Sequence, residues 1–383
     1  AGPRATLQSA MRRAAAEALR KAVSPVAAVG HFSSTPASPS SSSPFWPLDL
    51  DLRHFPPIEC TIGYGSGVVR QEGYGLKRPM VDLVFVVEES SIAAWHKENL
   101  VAHPEHYSGL MRLLGPGAIA SVQSWGPGLY YNPHVRLASN DGGEVEAKYG
   151  VVGAGALLQD LTSWESLYLA GRLQKPCLLE FSGRDEGLQS SIEAAVMSNR
   201  RAAVCAAVLA HCCGRGYALP PPRHLTLPAL LSALVRLSYE GDVRMGRAED
   251  PKKVSNIVKA QESALWEIYE PICAELGVRV LDLEASGADG GSIAATTSLL
   301  EFDTSDAGRR RLFEGLPGQV QERAVAKCPG GHDPWMNPLL MQSVLYDIVR
   351  RSSLQQSGKG LLTAGAMRSL RYAQEKVAKS HKK

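Results

Sequence analysis

At 383 residues, with 44% apolar and 21% charged side chains, the chain is long enough for two domains with cores and has an ordinary globular make-up. Of its 41 basic and 38 acidic residues, five and one fall in 1–44 and seven and one in 359–383; the 29 and 36 that remain make the body mildly acidic. That balance argues against a nucleic-acid channel through the body, which needs a continuous basic face, and no run approaches the ~20 apolar residues of a membrane-spanning helix.

The first 44 residues are Arg- and Ser-rich and nearly free of acids. Leu7, Met11, Ala15, Leu19 and Val23 repeat every four residues ahead of a Ser/Pro tract. This reads as a disordered mitochondrial transit segment; a plain basic tail is the alternative. From Phe45 the pattern predicts short strands at Ile58–Tyr64, Val81–Val87, Leu129–Val135, Val145–Val152 and Cys177–Phe181. Helices are expected at Ser91–Leu100 and Ala156–Ala170, so 45–185 is a mixed α/β or α+β sheet domain. Residues 186–355 are mostly helical, with three- and four-residue apolar spacing in Leu188–Cys212, Thr226–Tyr239, Val254–Tyr269, Asp306–Glu314 and Trp335–Arg350. Residues 356–383 read as a separate basic tail helix. Seven cysteines without a CxxC pair argue against a zinc site of the usual spacing and suit a reducing compartment.

Gly63-Tyr64-Gly65-Ser66-Gly67 follows a predicted strand. Three glycines in five let the backbone approach a ligand and turn its N–H groups toward phosphate oxygens, although many such turns only join strands. The next strand, Val81-Asp82-Leu83-Val84-Phe85-Val86-Val87, carries one carboxylate in an apolar run. A charge there needs a partner or a metal, unless the strand end is open to water. A Gly-Ser turn on one strand and an acid on the next match the nucleotidyltransferase arrangement for triphosphate and magnesium. Val84 stands where many members have a second acid, so Asp242 is the first candidate for a further ligand, with Glu88 and Glu89 behind it. Lys148, inside a β run, and Arg172 and Lys175, beyond a helix end, are candidate phosphate contacts; helix-dipole compensation is the other reading of the last two.

These residues sit in a longer series of blocks: YGSGV at 64–68, AWHKENL at 94–100, HYSGL at 106–110, LGPG at 114–117 and GPGLYYNP at 126–133. KYGVV at 148–152, LYLAGRLQKP at 167–176, SYEGDVRM at 238–245, KVSNIV at 253–258 and QSGKGLLTAG at 356–365 complete it. Together they resemble the mitochondrial translocator assembly and maintenance proteins, which are phosphatidate cytidylyltransferases. The resemblance implies an α+β chain: a nucleotidyltransferase-fold domain, then a helical, winged-helix-like domain. It implies transfer of CMP from CTP to phosphatidate with magnesium, giving CDP-diacylglycerol and pyrophosphate, for phosphatidylglycerol and cardiolipin synthesis at the matrix face of the inner membrane. By the same resemblance Gly65 and Ser66 hold the β- and γ-phosphates, Asp82 holds the metal, and Asp242 holds metal or nucleotide. Lys148, Arg172 and Lys175 contact phosphates, while Tyr64, Tyr239, Arg244 and Asn256 line the cleft.

A lipid substrate calls for a membrane contact. In the tail, Ala366, Leu370, Ala373 and Val377 form an apolar stripe, with Arg368, Arg371, Lys379 and Lys382 opposite it and Lys359 at its base. That pattern suits peripheral binding to an anionic bilayer, a helix packed on the protein being the alternative. Two rival functions stand beside this one: transfer of a nucleotide to RNA or protein, and a non-catalytic assembly factor.

Overall fold

The computed structural model describes residues 29–30, 44–70, 79–211, 223–245, 250–281, 299–328, 330 and 332–381; over 361–381 it is the backbone path that is described. The expected leader lies outside these residues except for Pro44 and Val29–Gly30, which runs parallel beside Cys177–Leu178 as a two-residue strand β1.

Five longer strands, β2 (Cys60–Tyr64), β3 (Val81–Val87), β4 (Leu129–Ala138), β5 (Glu144–Gly153) and β6 (Cys177–Phe181), make the mixed sheet β6-β2-β3-β5-β4. β3 is central, antiparallel to β2 and parallel to β5. Its near-continuous apolar run reflects burial on both faces. Alternate residues Val84 and Val86 join Cys60, Ile62, Leu129 and Val152 in a large core with the helices. Val81, Leu83, Phe85 and Val87 face the other way, with Tyr149, Val151, Leu48 and Trp95. Asp82 therefore occupies the first position of the face that otherwise packs on the helical body.

On the second face lie α1 (Ile92–Ala102) and α2 (Gly109–Gln123). The second of these was not anticipated: its Gly115-Pro116 break, with Gly115 at φ +81°, hides the helical spacing. The expected helix over 156–170 is two. α3 (Ala154–Ser163) stops at Trp164, which is left-handed at φ 55°, and α4 (Ala170–Leu173) follows a short loop. The buried Asp160 carboxylate holds that loop, accepting from the N–H groups of Ser166, Leu169 and Ala170 and from the Ser166 hydroxyl.

Beyond β6 come α5 (Glu186–His211), α6 (Leu227–Arg236), α7 (Lys253–Glu275), α8 (Asp306–Glu314), α9 (Gly318–Lys327) and α10 (Pro338–His381). A small antiparallel sheet, β7 (His224–Thr226), β9 (Leu299–Glu301) and β8 (Arg279–Leu281), lies among them. The chain is thus mixed α+β. The tail is not a separate helix: α10 passes through residue 356 without a break. The Gly/Ala/Ser-rich stretch 285–294 lies outside the described residues.

Candidate active site

Register brings three of the expected residues into one row. Tyr64 pairs with Asp82 across β2 and β3, and Asp82 with Lys148 across β3 and β5. All three face the helical body, where the apolar surface of the sheet gives way to polar groups. The Lys148 ammonium lies 3.7 Å from Asp82 Oδ1 and 3.9 Å from the centre of the Tyr131 ring. Tyr131, on β4, shares a 2.8 Å hydroxyl hydrogen bond with Tyr64. Burial holds both phenols well above the ordinary tyrosine range.

The Gly-Ser turn leaves β2 directly beside this row. Gly65 adopts φ +76°, and a Cβ there would lie 3.2 Å from Asp82 Oδ2, so the turn touches the carboxylate itself. Its carbonyl accepts from the N–H groups of Val68 and Val69, which folds 65–69 back on itself. A Cβ at Gly67 would lie 2.2 Å from the Met80 carbonyl oxygen, so only glycine lets the turn press on the start of β3. The half-buried Ser66 gives its carbonyl to Trp46 Nε1 at 3.1 Å.

The cationic side comes from α4 and the segment after α6. The Arg172 guanidinium packs over Tyr168 at 3.8 Å and Tyr64 at 5.1 Å from the ring centres, and donates to the Tyr168 carbonyl. Lys175 Nζ donates to the Gly171 carbonyl at 2.6 Å and to Ser238 Oγ at 2.8 Å, beside the Tyr239 ring. Lys175 thus meets a helix carbonyl, as the dipole reading expects, whereas Arg172 meets a carbonyl of the turn before α4. Burial first, then the charges of Arg172 and Lys253, bring Lys175 down to about 7. Burial raises the Tyr168 hydroxyl, but Arg172, Arg244 and Lys148 outweigh it, and the net shift is downward. A Cβ on Gly171 would sit 2.3 Å from Ser238 Cβ, so α4 and this segment meet backbone to backbone.

Asp242 is buried, and its two oxygens are taken by Arg244: Nε to Oδ1 at 2.9 Å and Nη2 to Oδ2 at 2.6 Å. Burial alone would raise its carboxyl; Arg244 outweighs that and lowers it. Asp242 thus clamps and aims Arg244; the metal or nucleotide role expected of it is a separate matter that this pairing does not decide. Gly241, at φ +90°, and Val243 N–H fix this loop against Tyr346 and Ser353 of α10. Asn256 binds Asp250 at 3.2 Å rather than the Asp82 row. Glu88 and Glu89 leave the opposite end of β3 from Asp82, about 20 Å along the strand, and Glu89 caps α3 through Ala156 N–H. They are excluded as partners of Asp82.

Asp82 fits a magnesium–nucleotide site, since Mg²⁺ is commonly held by one or two carboxylates and completes its shell with substrate phosphates and water. Its side chain is 24% exposed, and the glycine-rich turn lies against it. Among the described residues, the cluster with three convergent ligand atoms is His103, Glu105 and His106, on the other sheet face.

That face gathers the blocks to which no chemistry was assigned. His96 donates from Nε2 to Gln123 Oε1 at 2.6 Å and meets the Tyr107 hydroxyl at 2.9 Å. Asn99 donates to the Tyr107 and Tyr149 hydroxyls, each at 2.8 Å, and His106 meets Tyr149 at 2.9 Å. Burial brings His96 down to about 4, so the ring is neutral. Lys359 joins from α10. It is 3% exposed and donates to the carbonyls of Gln123, at 3.0 Å, and Trp125, at 2.5 Å. The membrane contact expected of Lys359 is therefore overturned. The side chains of Arg368, Arg371 and Lys379, and all of Lys382, lie outside the described residues.

Sequence reasoning missed Tyr131, Tyr168, Ser238 and Asp160. The first three stand inside quoted blocks; Asp160 is marked only as an acid between the apolar positions Leu157 and Leu161.

A profile described as mitochondrial phosphatidate cytidylyltransferase matches residues 49–379. The chain is similar to proteins of that name from Drosophila melanogaster, 36% identical over 87% of this chain and 99% of the relative, and Xenopus laevis, 34% over 88% and 92%. A Schizosaccharomyces pombe protein of the same name is 34% identical over 84% of this chain and 80% of the relative.

Proposed function

Because the chain belongs to the mitochondrial phosphatidate cytidylyltransferase family, we propose that it transfers CMP from CTP to phosphatidate, giving CDP-diacylglycerol and pyrophosphate. The observation that carries the reading is the Tyr64-Asp82-Lys148 row, with the glycine turn against its carboxylate and Arg172, Lys175 and Arg244 supplied from the helical side. The sheet part is read as a nucleotidyltransferase fold, and the small β7-β9-β8 sheet with its helices as winged-helix-like.

A phosphatidate oxygen attacks the α-phosphorus of CTP, the α–β anhydride bond breaks, and pyrophosphate leaves with the bond pair. The nucleophile is already ionised, so no strong general base is needed, and alignment and charge neutralisation carry the rate. Gly65 and Ser66 hold the terminal phosphates. Lys148, paired with Asp82, and Arg172, spread on two tyrosine rings, stand where charge moves toward the leaving group. Asp242 orients Arg244, and Ser238 orients Lys175. Asp82 would hold magnesium, which would supply positive charge against the phosphates.

Among the described residues no helix is long and apolar enough to cross a membrane. The relatives' printed name supports a mitochondrial place; peripheral binding at the matrix face of the inner membrane, with the product feeding phosphatidylglycerol and cardiolipin, is part of the same proposal. The test is incubation of the protein with labelled CTP, Mg²⁺ and phosphatidate liposomes. Labelled CDP-diacylglycerol is expected from the parent and not from Asp82→Asn. No lipid product, or equal product from both, overturns the reading, and label on RNA or protein selects a rival acceptor.

A further inference from the structure

The first turn of α2 is apolar on its outer side. Leu110, Leu113 and Leu114, spaced to share one helical face, are 48%, 83% and 54% exposed, while Met111 alone of that turn turns inward to the core. Single exposed leucines are ordinary, but three on one turn are not. The break at Gly115-Pro116 closes this turn off as a short ridge. Val101, in the last turn of the neighbouring α1, is 80% exposed.

Along α2 itself the charge is one-sided. No Asp or Glu occurs between Glu105 and Asp141, although the body as a whole is acidic, and Arg112 is exposed among the leucines. The far end of the same helix receives the Lys359 ammonium on the Gln123 carbonyl. The segment from Lys359 onward, with seven basic residues against Glu375, therefore starts from α2.

We propose that Leu110, Leu113 and Leu114 form a ridge that enters the interfacial layer of an anionic lipid bilayer, with Arg112 and the acid-free surface of α2 over the headgroups. Apolar side chains backed by positive charge are the two components of interfacial binding. A second copy fits less well. Two acid-free, basic faces would repel, and three leucines fall well short of the roughly 800 Å² per partner of a stable interface. The inference rests on the lipid-substrate reading for its choice of occupant.

The test separates docking from chemistry. Parent and Leu110→Ser/Leu113→Ser/Leu114→Ser proteins are floated with phosphatidylcholine vesicles containing phosphatidylglycerol and no phosphatidate, and CMP transfer is assayed separately on water-soluble short-chain phosphatidate. Flotation of the variant is expected to fall at least about tenfold, with transfer to the soluble substrate within about twofold of the parent. A Leu113→Trp protein, changed at the most exposed position, should show a blue-shifted emission on the same vesicles. Unchanged flotation, unshifted emission, or a lipid-free parent dimer that the triple variant dissolves would each overturn the proposal. Lost flotation in a chain that transfers no CMP on any substrate would leave the ridge standing and sink the chemistry.

Discussion

The carboxylate of Asp82 and the ammonium of Lys148 lie 3.7 Å apart on adjacent parallel strands, in register, with the backbone of Gly65 pressed against the carboxylate. The pair is only partly shielded from solvent, so its Coulomb energy contributes little to folding. On the proposed function, its value lies in holding opposite charges where a nucleotide's phosphates would arrive. Asp82→Asn should therefore lower kcat by about a hundredfold or more, while the melting free energy changes by no more than about 1 kcal/mol. Steady-state kinetics beside a denaturant titration checks both.

Gly65→Ala should cost about 1–2 kcal/mol for an alanine forced to φ +76°, and its methyl would crowd Asp82 Oδ2. Activity should fall further than that loss of stability explains. Gly67→Ala meets backbone rather than a side chain and should unfold the turn, visible as a larger drop in denaturation midpoint than Gly65→Ala gives.

Lys175 is brought down to about 7, chiefly by burial, so above that pH the free protein holds it largely neutral. A bound triphosphate favours the ammonium. Binding of CTP should therefore take up close to one proton between about pH 7.5 and 9, and affinity should weaken as pH rises through that window. Calorimetry in buffers of different ionisation heat reads the proton directly, and Lys175→Met should abolish it.

Asp242→Asn and Arg244→Gln should each raise the KM for CTP, and the double variant should be no worse than either alone, because the carboxylate acts through the guanidinium. The Mg²⁺ concentration for half-maximal rate should stay where the parent has it. A shift confined to Asp242→Asn would mark that residue as a metal ligand.

Lys359 is brought down to about 7 by burial against Gln123 and Trp125. The folded state binds fewer protons there than the unfolded state between pH 7 and the ordinary lysine range. Docking of α10 on α2 should thus strengthen as pH rises through that window and level off at its weakest below about 7. Hydrogen exchange across 355–363 at several pH values measures it, and Lys359→Met should flatten the dependence.

The large sheet was legible because its strands are apolar runs bounded by Gly and Pro, and register then placed Tyr64, Asp82 and Lys148 together. What escaped depends on tertiary context. The Gly115-Pro116 break disguised α2, and strands of three residues left no period to read in β7, β8 and β9. Trp164 and the buried Asp160 carboxylate split a helix that spacing alone would continue. Lys359 was misread because a charge pattern shows which residues are cationic but not which carbonyls lie within their reach. Asp242 was found by its glycine, whereas its partner is visible only in three dimensions.

Gly241 sits with its Cα against the Tyr346 carbonyl, and Val243 hangs from Ser353, so the loop that carries Asp242 and Arg244 is braced by the last long helix. A chain emerging from a ribosome passes Asp82 itself more than 250 residues before that brace exists. Nascent or truncated forms ending short of residue 353 would carry the glycine turn without the braced loop that presents Arg244. Catalytic competence would then arrive late in the life of each molecule, as a property of the finished chain.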